Sequence, residues 1–132
     1  MENPFVISYR ELRVYQTAFE SAMQVFESSR EFPTEEQDQL TMFMIRASRL
    51  VCANIAQAWQ KRRSQEAFIA RLNQAETEAA ATQVWIEFAV LCGYLDAETG
   101  QELHHEYQQV LGDLARLIEN SAAWVVSVNA ES

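Results

Sequence analysis

Helix breakers are nearly missing from this chain, and that restricts its fold more than any other feature. Its 132 residues include three Gly and two Pro. Pro4 and Pro33 both fall early, and Gly93 and Gly100 stand close together. Elsewhere little interrupts helical propensity, because only Gly and Pro strongly disfavour a helix interior. Long helices follow. Hydrophobic residues make up 48% of the chain, enough to bury a core without covalent staples, and the length fits one domain.

The apolar spacing divides the chain into four helical segments. Ser8 and Glu11 form a capping-box pair, and Leu12, Tyr15, Phe19, Ala22 and Phe26 follow as one stripe. Pro33 and Thr34 open the second segment, with Gln37 able to reciprocate the Thr34 cap. Its stripe is Leu40, Phe43, Ala47, Val51, Asn54 and Ala58. Ser64 caps the third, whose seam is Phe68, Leu72, Ala75, Ala79, Thr82, Ile86 and Ala89, and Gly93 stops it. Asp96 caps the fourth, where Leu103, Tyr107, Val110, Leu114, Leu117, Ser121 and Trp124 recur at coiled-coil spacing. Short connections predict antiparallel neighbours, hence an all-α, up-down-up-down antiparallel four-helix bundle as a single domain over 1–132. The tail from Val125 to Ser132 is expected to extend along a neighbour or to fray.

Several chemistries are disfavoured at once. Cys52 and Cys92 show no metal-ligand spacing and read as buried free thiols, which fits a reducing cytoplasm. No run of about 18 apolar residues exists to cross a membrane, and the first residues lack a signal-peptide pattern. Isolated Gly residues leave no phosphate-binding loop. Glu102 and His105 have the i, i+3 spacing used in di-iron bundles, but the only other His is the adjacent His104, so the second half of such a site is missing. We expect no enzyme activity, no catalytic residues, no metal and no cofactor.

Charge is unevenly distributed. The formal net charge is −9, which disfavours non-specific attraction to nucleic acid or an anionic membrane. Yet between Arg46 and Arg71 stand Arg46, Arg49, Lys61, Arg62, Arg63 and Arg71 against one acid, Glu66. Guanidinium groups bind phosphate and carboxylate in a planar, bidentate way. Arg49, Lys61, Arg62, Arg63 and Arg71 are therefore the candidate contacts for an anionic partner. Trp59 and Phe68 flank the same turn as stacking surfaces for bases or as core. Arg46 and Asn54 read as structural polar residues, Asn54 bonding backbone or a neighbour and Arg46 pairing with an acid across the bundle. The end of the third helix is apolar nearly all round, which makes Trp85, Phe88 and Leu91 the candidate oligomer interface.

Taken in order, Phe32-Pro33, Glu36, Leu40, Arg46-Ala47, Asn54-Ile55-Ala56, Arg62, Ser64, Phe68, Leu72, Ala75, Ala89 and Cys92-Gly93-Tyr94-Leu95 form a recognisable set. With Leu12, Val14, Tyr15 and Ala18 ahead of them, the chain resembles the four-helix bundle proteins of the 23S rRNA intervening-sequence type along nearly its whole length. It departs from them at Gln57-Ala58, where Glu-Gly is usual, which makes the second helix more continuous. The resemblance implies a protomer that assembles into a ring, typically a homopentamer. It also implies a possible accessory role beside a reverse transcriptase or an RNA, although such relatives are strongly basic. It supplies no catalytic residues.

Overall fold

A computed structural model describes residues 8–126 of the chain. Among the described residues there are five α-helices, four of them long, and no strand. They are α1 (Arg13–Ser29), α2 (Leu40–Gln60), α3 (Gln65–Leu91), α4 (Ala97–Glu119) and the single turn α5 (Ser121–Trp124). Each long helix packs on the next, and α4 also packs on α1, so the four surround one core. The expectations for the last residues of the tail and for the first residues of the chain lie outside the described residues.

The third and fourth seams were read correctly from their spacing. Phe68, Leu72, Ala75, Ala79, Thr82, Ile86 and Ala89 are the buried residues of α3. Leu103, Tyr107, Val110, Leu114 and Leu117 are buried on α4, and the seam continues through Ser121 to a half-buried Trp124. Burying each large side chain contributes about 1.5–3 kcal/mol. Truncating one of them, Leu72→Ala for example, removes about 2–5 kcal/mol because the neighbours cannot collapse into the void.

The helix ends explain the connections. Ser64 Oγ accepts from the Ala67 N–H, and Asp96 Oδ1 accepts from the Thr99 N–H. Hydrogen bonding from the Thr99 side chain, together with that backbone bond, holds the Asp96 carboxyl below the usual carboxylate range. At the end of α3 the Tyr94 N–H donates to the Ala89 carbonyl and the Gly93 N–H to Val90. This Schellman pairing needs the left-handed φ of +80° at Gly93. The chain then folds back, and the Tyr94 hydroxyl donates to Glu36 at 2.9 Å.

Four local expectations are corrected. Ser8 caps a 3-10 turn, Tyr9–Glu11, by accepting from the Arg10 N–H; α1 starts only at Arg13. Pro33 and Thr34 open another 3-10 turn, Thr34–Glu36, without a side-chain cap, and α2 begins at Leu40. The core stripe of α1 is Val14, Ala18, Ser21, Ala22, Val25 and Ser29. Tyr15 and Phe26 are half-buried and Phe19 is exposed. Phe43 likewise stands on the surface instead of in the core.

Candidate functional site

The end of α3 presents an apolar face. Val84, Phe88 and Leu91 recur at i, i+4 and i+7 on the side opposite the buried seam, so all three project outward. Phe88 is 52% exposed and Leu91 85%. Trp85 is half-buried between Phe43 at 5.6 Å and Phe88 at 6.1 Å, ring centre to ring centre. A groove of about 590 Å³ runs between this face and the start of α4, lined by Val84, Glu87, Phe88, Leu91, Ala97 and His104 among others. Gly100 lets the two helices meet beneath it: a Cβ there would lie 2.4 Å from Val90 Cγ2.

The basic residues do not form one patch. Arg49 and Lys61 are twelve residues apart on one helical run, about 18 Å at roughly 1.5 Å per residue. Arg46 and Arg49 stand exposed on the outside of α2, where they line a shallow depression with Met42 and Ile45. The guanidinium carbon of Arg49 lies 5.5 Å from the Phe26 ring. Arg46 makes no ion pair across the bundle among the described residues; its position on α2 points away from the core, which corrects the structural role expected for it.

Arg62 is held at the end of α2. Its Nε donates to the Trp59 carbonyl at 2.9 Å, and its guanidinium carbon lies 3.6 Å above the Trp59 ring. Trp59 in turn meets Trp124 at 6.0 Å. Two more bonds tie the segment after α4 to this turn. The Val126 N–H donates to the Arg62 carbonyl at 2.9 Å, and Gln65 Nε2 donates to Ser121 Oγ at 2.8 Å. Trp59 and Phe68 are buried, so neither is a free stacking surface. Lys61 and Arg63 remain the exposed cations of the turn. The Trp59-x-x-Arg62 spacing, one helical turn, was the sequence signal for this contact.

Asn54 is buried; its Nδ2 donates to the Leu50 carbonyl at 2.8 Å and its Oδ1 accepts from Arg71 Nη1 at 3.4 Å. Arg71 is therefore engaged across α2 and α3. Cys52 is buried, and desolvation pushes its thiol up to about 11. Cys92 is exposed, contrary to expectation, because it lies in the cap of α3, past the last buried seam residue, Ala89. Between α1 and α4, Ser21 Oγ donates to Glu106 Oε2 at 3.3 Å. Burial raises the Glu106 carboxyl above its usual range, and Glu102 and Glu20 add to the shift.

Among the described residues no three His, Cys, Asp or Glu side chains are grouped to hold a metal ion. His105 is exposed, and His104 sits in the α3–α4 groove with its carbonyl accepting from Gln83. No helix among the described residues is long and apolar enough to cross a membrane. The arrangement leaves one exposed apolar face at the end of α3 and cations spread over the outer side of α2 and the α2–α3 turn.

Comparison with known proteins agrees with the resemblance seen in the sequence. The family described as 23S rRNA-intervening sequence protein matches residues 10–116. Among solved structures the chain is similar to a protein of unknown function from the S23 ribosomal protein family of Bacteroides thetaiotaomicron. The TM-score is 0.73 at 23% identity, covering 80% of this chain and 95% of that one. No curated protein matches.

Proposed function

The chain belongs to the 23S rRNA-intervening sequence protein family, and from that premise we propose a non-enzymatic scaffold that assembles with copies of itself into a ring. The observation that carries this reading is the exposed Phe88 and Leu91 beside the half-buried Trp85. Trp85 packs against the core, whereas Phe88 and Leu91 lie outside the buried α3 seam and are surplus to it. Apolar surface of this kind gains free energy when covered. Packing of each long helix on the next, with α4 closing on α1, supports an up-down-up-down antiparallel bundle as the building block. Five copies is the count implied by the family resemblance. Two free thiols support a reducing, cytoplasmic setting.

Light scattering at micromolar concentration tests the reading. A mass near five protomers is expected. A monomer overturns it, and a stable assembly of another size overturns the count alone.

A second reading rests on Lys61 and Arg63, which stand exposed where α2 turns into α3. In a ring these cations recur on every copy, so a weak phosphate contact gains by avidity. This reading is a nucleic-acid-binding accessory factor. Binding to labelled RNA and DNA is measured across a salt series. Phosphate contact requires a steep loss with salt, and Lys61→Glu with Arg63→Glu should abolish it. Unchanged binding in that variant rejects the turn as the site.

A further inference from the structure

A ring closes through a head-to-tail contact, in which every copy offers two different surfaces. The end of α3 is one. A second apolar stripe lies along α1 and the outer side of α2. Phe19 is 49% exposed, Met23 48% and Met42 41%. Arg49 joins the two helices' outer sides by lying over Phe26. Neither Arg46 nor Arg49 makes an ion pair among the described residues. In the α3–α4 groove the exposed Glu87 is likewise without an ion pair there. One face is thus apolar with guanidinium groups, and the other is apolar with a carboxylate.

We propose that the Phe19–Met23–Arg49 face of one copy seats on the Phe88–Leu91–Glu87 face of the next. The pairing rests on the self-assembly proposed above and names the surface that the α3 end meets. Two observations favour it over a two-fold contact through α3 alone. A two-fold contact through α3 alone repeats the Glu87 carboxylate on both sides and brings no Arg46 or Arg49 guanidinium to it. It also leaves the α1–α2 stripe uncovered. Head-to-tail seating covers both stripes and brings opposite charges together.

Three variants at exposed positions test it, with circular dichroism to verify the fold. Phe19→Asp damages only the α1–α2 face, and Leu91→Asp only the α3 face. Each alone is expected to lose the wild-type assembly. An equimolar mixture of the two is expected to give a species of twice the protomer mass, because one intact interface remains and cannot propagate. Arg49→Glu should weaken assembly at least tenfold in protomer concentration, and adding Glu87→Arg should restore it. If the wild type is itself a monomer, the self-assembly reading falls and this pairing with it. If the wild type assembles but Phe19→Asp assembles equally well, or the mixture stays at protomer mass, the pairing alone is overturned.

Discussion

Arg62 and Trp59 hold each other one helical turn apart: the guanidinium plane covers the indole at 3.6 Å while Nε bonds the Trp59 carbonyl. The contact closes the last turn of α2 and presents the Arg62 carbonyl to the Val126 N–H. Arg62→Ala removes a stacked cation and a bond to a helix-end carbonyl, a loss of about 1–3 kcal/mol. Arg62→Lys is expected to recover little, since an ammonium group cannot lie flat on the ring. Urea denaturation followed by Trp fluorescence measures both. Full recovery by Lys would mean that charge, not stacking, secures the turn.

Gly100 and Val90 set the α3–α4 spacing. A Cβ at position 100 would approach Val90 Cγ2 to 2.4 Å. Gly100→Ala therefore destabilises by about 1–3 kcal/mol through overpacking. Adding Val90→Ala opens the space, so the double variant should be more stable than the sum of the single losses predicts. Strict additivity in thermal melts would show that the helices adjust without regard to Val90.

The two thiols should react at very different rates. Cys92 is exposed, whereas burial raises Cys52 to about 11 and shields it. The thiolate is the reactive form. One thiol per chain is expected to be alkylated rapidly by iodoacetamide at neutral pH, and mass mapping should find it at Cys92. The second should react only on unfolding. Rapid modification of Cys52 in the folded protein would contradict its burial.

Glu106 gives the stability a pH dependence of unusual sign. Burial raises its folded pKa, with Glu102 and Glu20 adding to the shift, while the Ser21 bond and His105 oppose it. At low pH the group is protonated in both states and contributes nothing. As pH rises from the ordinary carboxylate range, the unfolded chain releases its proton first. Stability then falls until the folded pKa is passed. Glu106→Gln should flatten that decline and leave the protein more stable above it. Denaturant titrations at several pH values test the sign; an unchanged profile would assign the decline to other groups.

Much of this was legible in the sequence, and the limits have physical causes. The seams of α3 and α4 were readable because only one face of each repeats at the right interval along its length. In α1 two rival stripes exist, one residue out of step. Tyr15, Phe19 and Phe26 repeat as regularly as Val14, Ala18 and Val25, and periodicity cannot rank them. The small residues won, with Ala18 and Ser21 wholly buried. Small side chains let neighbouring helices approach closely, whereas the aromatic set would hold them apart.

The charge asymmetry and the caps at Ser64 and Asp96 were also properties of local sequence, for a cap needs only a few consecutive residues. What the basic residues do was not. Six cations within one stretch of sequence were divided by helix geometry between the outer side of α2, its last turn and the α2–α3 contact. Arg62 is occupied by Trp59, and Arg71 by Asn54, while Arg46 and Arg49 face outward. Sequence alone determined the helices and two of their buried faces, because those depend on spacing along the chain. The tertiary structure alone decided which side chains were left on the surface, because that depends on what each helix packs against.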